Sequence, residues 1–120
     1  MSELYDRDDR QYMRVYKQET PDILAAFAQF DDAVFAKEGR EIPIKYRELI
    51  ALAVATVTQC VYCIQGHSKR AVAEGASDAE IAEAAWVATV LRAGAGIAHG
   101  RLAFKFSHEA PGHAHTGADA

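Results

Sequence analysis

The feature that most limits what this chain can fold into is the spacing of its apolar residues. They recur three and four positions apart, and nowhere do β-branched residues alternate with polar ones between turn signals. That spacing predicts an all-α fold. Residues 4–18 are polar but carry Tyr12, Met13 and Tyr16, and read as a short, partly packed helix. Thr20-Pro21 is a start signal, with Thr as N-cap and Pro at the first helical position. The helix that follows carries Ile23, Phe27, Phe30 and Val34 as a one-sided stripe, and Gly39 is its expected stop. Pro43 opens the next helix, which runs to about Gln59. It is apolar almost all round from 50 to 57, so it is expected to be central and buried. A further helix, or a kinked continuation, begins near Cys60 and ends at Gly75. Ser77-Asp78-Ala79-Glu80 reads as a capping box that launches a long helix through Ile81, Trp86 and Val90 toward Phe104.

From Ser107 onward the sequence is rich in Gly, Ala and His, contains Pro111 and has no periodic apolar face. The expected organisation is therefore one helical domain over 1–106 and a flexible His-containing tail over 107–120. A chain of 120 residues, half of them hydrophobic, suits a single small domain. Such a domain buries only about two-thirds of the surface its unfolded chain exposes, so help from self-association is expected.

Charge and composition narrow the function classes. The net charge is −4 and the Lys and Arg residues are scattered, which argues against nucleic acid as a partner. The N-terminus is charged and lacks the apolar core of a signal peptide. The longest apolar stretches, 50–57 and 84–91, fall short of the ~20 residues of a membrane span. The expectation is a soluble cytoplasmic protein with no membrane partner. Two cysteines are too few for the disulfide framework of a small secreted domain. The string Gly94-Ala95-Gly96-Ile97-Ala98-His99-Gly100 invites a dinucleotide reading, but that reading requires a preceding strand and a βαβ unit. Close packing of helices, within the chain or between subunits, accounts for it better.

The chemistry lies in Cys60-Val61-Tyr62-Cys63-Ile64-Gln65-Gly66-His67, a C-x-x-C-x-x-x-H pattern built on the only two cysteines of the chain. If the segment is helical, Cys60, Cys63 and His67 share one face. Residues three apart have Cα atoms about 5–6 Å apart, inside the range for a disulfide. Cys60 at the start of a helix would meet unpaired amides and the positive end of the dipole, which favour a thiolate. His67, one turn beyond Cys63, can hold or move a proton. Glu48 belongs to the preceding helix, on one face with Leu52, Ala55 and Gln59. Packed side by side with the cysteine helix, it would bring a proton-carrying carboxylate to His67 or the thiols. The bland alternative is an ion pair with Lys45, Arg47 or Arg92, or a solvated carboxylate on an exposed turn. Zinc is a competing reading of two cysteines and a histidine. Structural zinc sites present four ligands, however, and the remaining histidines are His99 and those of the tail. A thioredoxin-type site requires a βαβ context that the helical flanks do not offer.

Glu48 followed twelve residues later by Cys60-x-x-Cys63-x-x-x-His67 resembles the AhpD-like proteins of the carboxymuconolactone decarboxylase superfamily. Residues 47–54 before the motif and 74–81 after it are similar as well, and the resemblance covers roughly residues 20–105. It implies an AhpD-like helical bundle with the C-x-x-C at the start of a core helix, assembled as a trimer or hexamer. It also implies a cofactor-independent peroxidase acting on a hydroperoxide. Cys63 would be the peroxide-attacking cysteine and Cys60 the resolving one, with His67 and Glu48 in a proton relay. The external dithiol reductant would be lipoyl or thioredoxin-like. One departure stands out: a second histidine precedes the second cysteine in the best-known members, and Tyr62 holds that place here. A phenol is a poorer proton carrier near neutral pH. The same superfamily contains lactone decarboxylases that usually lack the cysteine pair. A redox-sensing or assembly module is the other alternative.

Overall fold

The structure is a computed structural model that describes residues 6–112. They are helical nearly throughout and include no strand. A 3-10 turn over Arg7–Tyr12 leads into α1 (Met13–Glu19), followed by α2 (Pro21–Val34), α3 (Ile44–Thr58), α4 (Val61–Ala73) and α5 (Asp78–Glu109). The chain divides into two compact units, one ending at Ile44 and the other beginning at Lys45. Each unit has its own helices. Of the tail expected from Ser107, residues 107–109 continue α5, and His113 and His115 lie outside the described residues.

In the first unit the N-terminal segment is two pieces rather than one helix. Asp6 caps the 3-10 turn by accepting from the Asp8 amide, and Asp9 reaches back to the Asp6 amide. Tyr12, Met13 and Tyr16 are exposed rather than partly packed. Pro21 does open α2. Thr20 occupies the N-cap position, but its hydroxyl donates backward to the Tyr16 carbonyl at 3.0 Å and so closes α1 instead. The stop of α2 comes at Val34, before Gly39. Arg40 donates through Nε and Nη2 to the Ala33 carbonyl at 3.1 and 2.8 Å, satisfying the last turn from outside. Ile23, Phe27, Phe30 and Val34 keep their helical period, yet all four are exposed, Phe30 at 67%.

The second unit carries the site. Its buried residues are Glu48, Leu52 and Ala55 of α3, Ala71 of α4 and Ala88 of α5. Three of the five are alanines, whose short side chains let helices approach closely. Polar contacts join the helices. Glu48 meets His67 between α3 and α4, Lys45 meets Glu80 between α3 and α5 at 3.0 Å, and Arg92 of α5 donates to the Val57 carbonyl near the end of α3. The capping box is formed: the Ser77 amide donates to Glu80 Oε1 at 3.0 Å, and the Glu80 amide to Ser77 Oγ at 3.1 Å. Gly75, at φ +92°, closes α4. Its amide donates to Val72, and the Ala76 amide donates to Ala71.

One expectation for this unit is corrected, and one is narrowed. The stretch 50–57 is buried only on the Leu52/Ala55 face, with Ile50 and Val54 exposed. The described helices of this unit are too few to cover α3 all round. The glycines at 94, 96 and 100 lie within α5, as helix rather than as a nucleotide loop, but a Cβ on any of them would meet nothing within 4 Å. Among the described residues, no helix of this unit packs closely there. Trp86, at 70% exposed, Val90 and Ile97 are likewise uncovered. α5 is also 32 residues long, about 48 Å at 1.5 Å per residue. By length and composition alone it is sufficient to cross a membrane, with mean hydropathy 1.3 over its most apolar window. The contiguous stretch 84–91 understated this, because the Ala and Gly residues beyond it extend the weakly apolar run.

Candidate functional site

The site is built where α3 ends and α4 begins. Gln59 separates the two helices at φ +58°, in the left-handed region that side chains other than glycine seldom adopt. Its amide donates to Thr56 and the Cys60 amide donates to Ala55, so the last carbonyls of α3 are closed in the same way as those of α4 at Gly75. The break makes Cys60 the N-cap of a new helix rather than part of a kinked continuation. The Cys60 sulfur accepts the Cys63 amide at 3.3 Å. A cysteine here fills the role usually taken by Ser or Asp, with its sulfur at the positive end of α4.

Cys60 and Cys63 are joined as a disulfide with Cα atoms 5.3 Å apart, as their spacing predicts. His67 follows Cys63 by four residues on α4 and lies on the same face. Its Nδ1 lies 2.6 Å from Glu48 Oε2, with the two side chains 15% and 3% exposed respectively. Glu48 is the one buried charged residue among those described. A carboxylate is an acceptor, so the proton between them belongs on Nδ1 in the neutral imidazole, which leaves Nε2 as the basic nitrogen. The carboxylate thereby holds the ring in one orientation and one tautomer, and it balances positive charge when the imidazole takes up a proton.

The structure thus brings together the four residues that the sequence singled out. Cys60, Cys63 and His67 share α4 and its cap, and Glu48 reaches His67 from α3. Two of the bland partners considered for Glu48 are engaged elsewhere. Lys45 pairs with Glu80, and Arg92 caps Val57. The Glu80 carboxyl is held below its ordinary value of 4.5, first by the Ser77 amide and then by Lys45. The Lys45 ammonium is correspondingly raised above 10.5, chiefly by Glu80. This pair fastens α5 to the start of α3 away from the sulfurs. Gln59, expected as the last member of the Glu48 stripe, is instead exposed outside the helix. No cluster of three His, Cys, Asp or Glu side chains that could hold a metal ion occurs among the described residues.

Sequence reasoning passed over Arg70. Its Nη1 lies 3.5 Å from His67 Nδ1. The signal was present, since Arg70 falls three residues after His67 and seven after Cys63, on the face they share. Gln59 carried no comparable signal, because left-handed geometry at a glutamine is imposed by the chain reversal around it.

The model of the carboxymuconolactone decarboxylase family matches residues 21–106. A Paracoccus denitrificans protein known as uncharacterized protein 4 in the cox locus is 45% identical over 87 residues, spanning 72% of this chain and 77% of that one. A Thermotoga maritima crystal structure is described as a carboxymuconolactone decarboxylase family protein with a suggested part in the antioxidative response. It superposes with a TM-score of 0.62 at 33% identity, covering 85% of this chain and 86% of that one. A member of the same family from Legionella pneumophila gives a TM-score of 0.64 at 27% identity, over 71% and 74% of the two chains. The helical fold, the cysteine pair at a helix start and the sequence match over most of the length agree: this chain belongs to the carboxymuconolactone decarboxylase family.

Proposed function

We propose that the protein is a cytoplasmic, cofactor-independent thiol peroxidase that reduces hydroperoxides through a Cys60/Cys63 dithiol–disulfide cycle. The observation that carries this reading is the pairing of a helix-capping disulfide with a buried Glu48–His67 dyad one turn away. The antioxidative role suggested for the Thermotoga relative supports it.

In the reduced protein, His67 accepts the Cys63 thiol proton, directly or through water. The Cys63 thiolate attacks the terminal oxygen of the hydroperoxide. An S–O bond forms, the O–O bond breaks, and the departing alkoxide takes a proton to become an alcohol. The sulfur of Cys60, which the Cys63 amide and the start of α4 favour as a thiolate, attacks the sulfur of the resulting sulfenic acid; an S–S bond forms, the S–O bond breaks, and the departing hydroxide takes a proton to leave as water. The dithiol has then given two electrons to the peroxide. An external dithiol, lipoyl or thioredoxin-like, restores the pair by exchange, and the thiolate best stabilised by the helix start is the better leaving group. We further propose a homo-oligomer, trimer or hexamer, because Trp86, Val90 and Ile97 leave α5 with an exposed apolar face among the described residues of its unit.

Intact-protein mass spectrometry tests the cycle. Peroxide removes two hydrogens from the reduced wild type, a dithiol restores them, and Cys60→Ser accumulates a trappable sulfenate on Cys63. Sulfenate forming only on Cys60 in the reciprocal variant reverses the two roles. Absence of peroxide consumption with several dithiols offered refutes the enzyme. Lactone turnover that survives loss of both cysteines would instead identify a decarboxylase.

A further inference from the structure

We propose that Arg70 is an anion-binding residue that makes the site select hydroperoxides carrying a carboxylate close to the peroxide group. This rests on the peroxide reading of Cys63 given above. The first observation is where the guanidinium goes. Arg70 is exposed, yet its guanidinium folds back along α4, with Nη1 3.5 Å from His67 Nδ1. The second is what lets it do so. A Cβ on Gly66 would lie 3.6 Å from Arg70 Nη2 and 4.0 Å from its Cζ, so the guanidinium rests against the bare face of that glycine. Gly66 is three residues beyond Cys63, about 4.5 Å of helix rise. The side chain of Arg70 therefore delivers its charge to within about one turn of the reacting cysteine, although its own Cα is two turns away.

The third observation is that this charge is uncommitted. No carboxylate among the described residues forms an ion pair with Arg70. The Nδ1 proton of His67 is directed at Glu48, so Nδ1 offers no lone pair to the guanidinium, and the 3.5 Å approach is contact rather than a hydrogen bond. A guanidinium presents five N–H donors in a fork that matches a carboxylate in two parallel hydrogen bonds. Glu48, the nearest buried anion on the facing helix, is turned to His67. Lys69 is the adjacent cation on α4 and adds to the local positive field. A chain with net charge −4 does not draw anionic substrates by its overall field, so recognition of one must come from a local cation of this kind.

A matched pair of probes isolates the effect: cumene hydroperoxide and its para-carboxylate, which differ in charge but present the same peroxide. Reduced full-length protein is mixed with each, and the rate of disulfide formation is followed in a single turnover. The readout is the ratio of the two rates, in which any general loss of reactivity cancels. Wild type is expected to favour the carboxylate about tenfold at low salt. Arg70→Gln brings the ratio to about one, Arg70→Glu inverts it, and Arg70→Lys retains part of the preference. A wild-type ratio near one, or a ratio unchanged in Arg70→Gln, overturns the proposal. Equal loss with both probes in Arg70→Gln, at constant ratio, overturns it too and makes Arg70 a positioning residue for His67. Failure of the wild type to form a disulfide with either probe refutes the peroxide reading itself, an outcome distinct from an altered ratio.

Discussion

Replacing Glu48 by glutamine removes one charge and almost nothing else. The amide has the shape of the carboxylate, fits the same buried space and can still accept the Nδ1 proton of His67 through its carbonyl oxygen. What is lost is the negative charge beside an imidazole that becomes cationic as it takes the thiol proton. Glu48 Oε2 lies 2.6 Å from Nδ1, which puts the centres of the two charges about 4 Å apart. Two unit charges at that separation interact by about 4 kcal/mol at the effective dielectric of ~20 that suits protein sites. At 1.36 kcal/mol per decade, that is an upper bound of about a thousandfold in rate. It lies within the range of roughly a hundredfold to ten-thousandfold for positioned acid–base groups. Glu48→Gln is therefore expected to slow single-turnover disulfide formation by about a hundredfold to a thousandfold while far-UV circular dichroism stays unchanged. The assay is quenched-flow mixing of reduced protein with excess hydroperoxide, with remaining thiols counted by mass after alkylation. A Glu48→Gln rate within threefold of wild type in folded protein would refute the relay. Glu48→Ala is a different perturbation, because it leaves His67 facing a cavity. Its cost in folding stability is expected to be about 1–3 kcal/mol, the range for leaving a buried hydrogen-bonding group unsatisfied.

Gln59→Gly is expected to raise the urea midpoint by up to about 1 kcal/mol of stability, because glycine adopts φ +58° without the 1–2 kcal/mol penalty of other residues but loses more freedom on folding; Gln59→Val should lower it. The Glu80 carboxyl is held below its ordinary value in the folded state, so its contribution to stability is present at pH above about 4.5 and is lost as pH falls through the folded value. The stability difference between wild type and Glu80→Gln, measured by denaturation from pH 7 down to pH 3, should shrink toward acid; a constant difference would contradict the assignment. Trp86→Glu is expected to shift the assembly toward monomer in light scattering coupled to size-exclusion chromatography, and a wild-type protein that is monomeric at micromolar concentration would refute self-association through the α5 face.

The candidate site was readable in the sequence to an unusual degree because its parts obey local rules. Residues three and four apart share a helical face, so Cys60, Cys63 and His67 were already together once the segment was helical. Glu48 required one further step, that α3 and α4 lie side by side. Its place on the stripe with Leu52 and Ala55 was the clue, and those residues are the buried face of α3. Arg70 was missed because a guanidinium on a long side chain acts far from its own Cα, and only coordinates show that it folds back over Gly66. Gly39 was misread as a stop because the capping group of α2, Arg40, comes from beyond the helix and leaves no signal within it.

By itself the sequence determined the helical character, the starts of α2 and α5, the close of α4 at Gly75 and the disulfide spacing, since each depends on hydrogen bonds and side-chain geometry within a few residues. The tertiary structure alone decided which apolar faces one chain can cover and which partner each charge takes. Burial and pairing depend on residues far apart in the chain: Ala71 and Ala88 are enclosed while Phe30 and Trp86 are not, Lys45 goes to Glu80, and Glu48 goes to the histidine beside the cysteines. A hydrophobic stripe states that a face requires cover. It does not state whether the same chain supplies it.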